Sequence, residues 1–196
     1  MRTASIFLLL GAWISYGGRT IQKGYTLSPG YAVSIHGTFS IHSWSEKIEK
    51  VSGDLEGSLN EDGSVEVSSI RIVMGARSIK GDMGTVMNNK TYKALKAEAN
   101  PDITFLLTVP VRLKQINDGQ KAATLPGNLT LAGVSRPVIM LIRSFKVEKG
   151  TMSFEGEQKI RMTDFGIKPP SALFGAMRAS PDITIDFKTD FINKEQ

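Results

Sequence analysis

Apolar and polar residues alternate with a period of two along most of this chain. The clearest run is Ile183 to Phe191, where Ile183, Ile185, Phe187, Thr189 and Phe191 interleave with Thr184, Asp186, Lys188 and Asp190. Successive side chains of a strand point to opposite faces, so such a run buries one face and wets the other. The same pattern predicts strands over Tyr31 to Phe39, Val51 to Leu59, Val65 to Met74, Ile103 to Leu113, Ala122 to Leu131, Val138 to Val147 and Met152 to Met162. In Val65 to Met74 the phase slips near Ser68 and Ser69, as a bulge produces. Gly24 to Gly30 reads as a turn-rich entry, and Asn60-Glu61-Asp62-Gly63 and Glu148-Lys149-Gly150 read as hairpin turns. Antiparallel strands of about ten residues, at roughly 3.3 Å each, are some 30 Å long. The expected fold is all-β, an eight-stranded antiparallel barrel, a size that either fills with side chains or holds one small ligand.

Two segments break the alternation. Between Thr85 and Ala97, Met87, Thr91 and Leu95 fall at helical spacing with Lys90, Lys93 and Lys96 on the wet side, and Asn100-Pro101 ends the one substantial helix expected. Farther on, Pro169 and Pro170 rule out regular helix or central strand, while Phe165, Ile167, Leu173, Phe174 and Met177 are too apolar for an idle loop. Such a loop either covers the end of the core or forms a lid over a ligand cavity.

The N-terminus changes the context. Arg2 precedes the apolar run Ile6 to Ile14, followed by Ser15, Gly17 and Gly18, which is the order of a secretory signal peptide and too short to span a bilayer. Residues 1–18 are read as that signal, cleaved after Gly17 or Gly18, and residues 19–196 as one exported domain in the periplasm or outside the cell. With no cysteine, the domain can be neither disulfide-stapled nor anchored through an acylated cysteine. A net charge of +5 is spread singly among acidic residues, without the basic stripe of a nucleic-acid binder. At most it supports weak attraction to an anionic membrane surface or to anionic ligand heads.

Candidate chemistry is sparse. His36 and His42 are the only histidines, so no metal-ligand motif can be assembled, and no metal or cofactor is expected. Ser34, Ser40, His42 and Asp164 contain the elements of a nucleophilic triad, but no G-x-S-x-G elbow is present. The acidic residues fall on outward faces, which gives no carboxylate pair for glycoside chemistry. What remains is apolar surface, with inward Gly53, Gly57 and Gly156 expected to leave volume inside the barrel.

Five stretches in order resemble the YceI-like family: GTFSIHSW (Gly37 to Trp44), Val67 to Lys80 ending in ARSIKG, TYKALKA with NPDITF (Thr91 to Phe105), PGNLTLAGVSRPV (Pro126 to Val138) and MTDFGIKPPSALFG. The resemblance covers about residues 31 to 192. It implies a lipocalin-like barrel that sequesters an isoprenoid or other long-chain lipid, such as a quinone or fatty-acid-like molecule, without transforming it. On that basis Ile103, Phe105, Phe154, Ile185 and Phe187 are expected to line a tunnel, with Phe165 and Phe174 at the lid and His42, Trp44, Ser78 and Lys80 at a polar mouth. Met162 stands where many members carry arginine, and Phe39 and Ser43 replace serine and aspartate. A different or neutral head group is therefore expected, with Arg143, Arg161 or Lys80 as substitutes for the arginine. Other readings are a ligand-free structural or protein-interaction barrel, a hydrolase with a cryptic Ser/His site, and association into a homodimer.

Overall fold

The alternating runs become the staves of a barrel, some of them made of two strands end to end. The computed structural model describes residues 22–39, 42–116, 122–172 and 177–194. In chain order the strands are β1 (Lys23–Leu27), β2 (Ala32–Phe39), β3 (His42–Ile48), β4 (Val51–Leu59), β5 (Val65–Gly75), β6 (Ile79–Gly81), β7 (Asp102–Leu107), β8 (Val111–Leu113), β9 (Ala123–Leu131), β10 (Val134–Glu148), β11 (Thr151–Arg161), β12 (Ser171–Ala172), β13 (Met177–Arg178) and β14 (Asp182–Asn193). One helix, α1 (Thr85–Ala94), lies between β6 and β7. No helix among the described residues is long and apolar enough to cross a membrane.

β1, β4, β5, β7, β9, β10, β11 and β14 are successive antiparallel neighbours, and β14 pairs back to β1, which closes an eight-stranded barrel. β14 pairs with β11 along one edge and takes both β2 and β1 on the other. β2 in turn pairs with β3, and β3 with β6, so β1 with β2 and β3 with β4 act as two long, interrupted staves. Tyr31 pins both interruptions: its hydroxyl donates to the Glu49 carbonyl (2.9 Å) and accepts from the Val51 N–H (3.1 Å).

Beyond β6 the wall is completed by α1, which packs against that strand. Tyr92 Oη donates to the Ile79 carbonyl (2.8 Å), Asn88 Oδ1 accepts from the Gly81 N–H (3.0 Å), and Lys90 Nζ donates to the Ser171 carbonyl in the 162–181 segment (3.0 Å). That segment begins with a 3-10 turn, Met162–Phe165, capped by Gly166 at φ 66°, and returns to the barrel where Ala179 bridges Phe39. The helix and the described residues of that segment, 162–172 and 177–181, thus cover the same end of the barrel.

Several expectations need correcting. Lys23–Leu27 is a strand rather than a turn-rich entry, because its backbone groups pair with β4 and β14. His42–Ile48 is also a strand, with Trp44, Glu46 and Ile48 as its inward positions. The run expected from Ile103 to Leu113 divides into β7 and β8 around Thr108 to Pro110, where proline offers no N–H to a ladder. The expected bulge is present: the β4–β5 register shifts between Glu56 and Gly57, and Ser68 lies between the residues paired on either side. Residues 1–18, expected to form a signal peptide, and Leu173 and Phe174, expected at a lid, lie outside the described residues.

Candidate functional site

Inside the barrel, glycines on one strand make room for aromatic rings from the next. A Cβ at Gly156 would stand 2.8 Å from the Phe187 ring, and one at Gly127 would collide with the Phe105 ring. Phe187 is the register partner of Gly156, while Phe105 reaches Gly127 diagonally. Contrary to expectation, the inward glycine at Gly156 leaves no empty volume and instead lets a ring lie against the wall. The centre of the barrel stays open as two narrow cavities.

The proximal cavity, beneath α1 and the 162–181 segment, has a volume of about 80 Å³. Its wall includes Phe39, Ile103, Leu131, Met162, Ile167 and Pro170. A distal cavity of about 70 Å³ lies among Ile70, Phe105, Leu125, Phe154, Phe187 and Phe191. Met74, Leu129 and Ile185 belong to both walls and form the septum between them. Met74, Met83, Met87, Met140 and Met162 all line one cavity or the other. Thioether chains repack readily, so the free volume can grow around an occupant.

Polar groups are few in these walls. Glu46 is 8% exposed, and its Oε1 accepts a hydrogen bond from Thr91 Oγ1 at 2.8 Å. Burial pushes its carboxyl above the ordinary glutamate range, and the Thr91 bond pulls only partly the other way. Two residues earlier on the same face of β3, Trp44 also lines the proximal cavity, and its indole N–H is buried without a partner. The rim carries an exposed apolar side chain at Met83, and Val86, on the first turn of α1, is also exposed.

A family model for the YceI-like domain matches residues 26–191. This chain belongs to the YceI-like family. Similar solved structures of 12 to 19% identity support the fold. Burkholderia cenocepacia BcnA is 16% identical, over 82% of this chain and 95% of that one, with a TM-score of 0.61. A polyisoprenoid binding domain from Saccharophagus degradans, implicated in plant cell wall breakdown, is 12% identical over 86% of this chain and 98% of its own, with a TM-score of 0.60. The Campylobacter jejuni YceI protein is 19% identical over 77% and 85%, with a TM-score of 0.55. A search of curated proteins finds no match.

Within this YceI-like barrel the residues expected to line a tunnel come together. Phe105, Phe154 and Phe187 face the distal cavity, Ile103 the proximal one, and Ile185 both. Phe165 is buried in the hydrophobic cluster around the proximal cavity but is not part of its wall. The residues expected at the polar mouth disperse. Only Trp44 reaches the cavity; His42 is exposed, Ser78 Oγ is spent on the Gly75 carbonyl (2.7 Å) and the Lys50 N–H (3.0 Å), and Lys80 pairs with Glu49 at 2.7 Å. Nor do the arginines substitute for Met162. Arg143 bridges Glu157 (2.7 Å) and Asp186 (3.0 Å) away from both cavities, and Arg161 stands 3.4 Å from Asp182. Met162 itself is buried in the proximal wall.

Sequence reasoning missed Glu46 and Thr91. The acidic residues are expected on outward faces, yet the alternation Trp44, Glu46, Ile48 puts Glu46 on the inner face. The approach of Ser34, His36 and Asp186 offers no triad. His36 Nε2 meets both Ser34 Oγ (3.2 Å) and Asp186 Oδ2 (3.4 Å), whereas a base needs one nitrogen for the nucleophile and the other for its orienting carboxylate.

Proposed function

We propose that this chain is an exported lipid-binding protein that takes the tail of an isoprenoid or similar long-chain amphiphile into its barrel and releases it unchanged. The observation that carries this reading is the pair of apolar cavities meeting at Met74, Leu129 and Ile185. A chain that crosses that septum leaves water along its whole length, and each methylene it buries contributes about 0.8 kcal/mol. Partition of this kind needs no reacting group. The solved Saccharophagus degradans domain described as polyisoprenoid binding has the same fold, which supports the cargo class. Export rests on the N-terminal sequence pattern. Met83, exposed in the cavity wall, supplies an apolar rim through which a membrane surface can deliver cargo.

The test is mass spectrometry of organic extracts from natively purified protein, with denatured protein as the control for adsorption. One long-chain species at near one per chain is the expected result. A clean extract, repeated after incubation with polyprenols, quinones and fatty amides, would leave a ligand-free structural barrel as the better reading.

A further inference from the structure

The polar contents of the proximal cavity define the kind of head group it can accept. Of the side chains in its wall, Glu46 is the only ionisable one among the described residues, and no lysine or arginine lines it. The register partners of Glu46, Ile35 and Gly81, and its hydrogen-bond partner Thr91 are all uncharged. An anionic head placed here would meet a carboxyl and no cation, in a site that excludes water. Among the described residues the buried Trp44 indole N–H has no acceptor, an arrangement that disfavours the empty site. Trp44 and Glu46 are two residues apart on one face of β3, roughly 6.6 Å along the strand. Both line the proximal cavity, as does Thr91.

We propose that Trp44, Glu46 and Thr91 form a head-group subsite for an uncharged oxygen function, an alcohol or a carbonyl. The oxygen accepts the Trp44 N–H, and a hydroxyl can in addition donate to the Glu46 carboxyl beside its bond from Thr91. A cationic head would pair with Glu46 but leave the indole N–H orphaned, and an anionic head would satisfy the indole but oppose Glu46. Only a hydroxyl serves both, while a neutral carbonyl satisfies the indole without setting a second charge against Glu46. This assignment rests on the lipid-binding reading and adds to it which end of the cargo lies under α1.

The test compares ligands of one tail length: hexadecane, hexadecanol, palmitate, hexadecyl phosphate and hexadecylamine, each displacing a polarity-sensitive dye from the folded protein. Hexadecanol should bind about fivefold or more tighter than hexadecane, and tighter than the three charged ligands. The ratio of hexadecanol to hexadecane affinity should fall roughly fivefold in Trp44→Phe and in Glu46→Leu. Glu46→Gln, which keeps a neutral hydrogen-bonding group, should retain most of it. Palmitate or phosphate binding as tightly as hexadecanol would overturn the subsite. So would a preference for hexadecylamine, or a ratio unchanged in the folded Glu46→Leu protein. Failure of every ligand, hexadecane included, would overturn both the subsite and the lipid-binding reading, whereas tail binding indifferent to the head would overturn the subsite alone.

Discussion

Glu46 is the residue at which burial and charge conflict most. Its ordinary value is 4.5, and burial raises it in the folded protein. Below about that pH, folded and unfolded chains both carry the proton and the group is neutral with respect to folding. As pH rises, the unfolded chain ionises first, so the folded state loses stability until the folded carboxyl ionises too; above that point the loss is complete and constant. Glu46→Gln removes this titration and keeps an acceptor for Thr91. Its urea midpoint should therefore lie close to the wild type near pH 4 and rise above it toward neutral pH. A difference between the two proteins that stays flat across this range would mean that Glu46 is not desolvated in the empty barrel. The sign matters for the site, because a carboxyl that retains its proton longer can donate as well as accept.

Among the elements, α1 is the least secured part of the wall. None of its residues is buried, and no side chain caps its start at Gly84, whose φ of 80° excludes the usual capping residues. It is tied to β6 by Tyr92 and Asn88 and to β3 by Thr91, while β11 and β14 are paired along both edges. In hydrogen exchange of the lipid-free protein, α1 amides should exchange about tenfold or more faster than those of β11 and β14. Loading a long-chain alcohol should slow α1 far more than the strands. Equal protection in α1 and β11 would argue that entry does not involve this helix. The same contrast explains what the sequence disclosed. β4 and β11 could be read almost to the residue because their apolar and polar positions alternate without interruption. β3 could not, because its inward positions are an indole, an acid and only then an aliphatic. β10 is expected only from Val138, yet the strand begins at Val134 and carries Pro137 inside it, opposite Asn128. The fit of rings over Gly127 and Gly156 depends on neighbouring strands, which no local pattern reports.

At the scale of the whole molecule, the barrel holds two hydrophobic clusters in line, one under α1 and the 162–181 segment and one beyond the septum. If head groups stay in the first, tail length decides how much of the second is used. Met140 lines the distal cavity and not the proximal one, and it is only half-buried, so β10 can accept a larger residue there. Met140→Trp should fill much of a space whose volume is about 70 Å³. A short alcohol such as dodecanol, ending near the septum, keeps its contacts; a long one such as docosanol loses the methylenes that would have passed it. Excluding two methylenes corresponds to about tenfold in affinity, so the docosanol-to-dodecanol affinity ratio should fall by roughly that factor or more. Equal weakening of both alcohols would mean that the cavities are not entered in sequence, and that the septum of Met74, Leu129 and Ile185 is a packed layer rather than a passage. A selective loss of the long chain would make the septum the point from which the barrel measures its cargo.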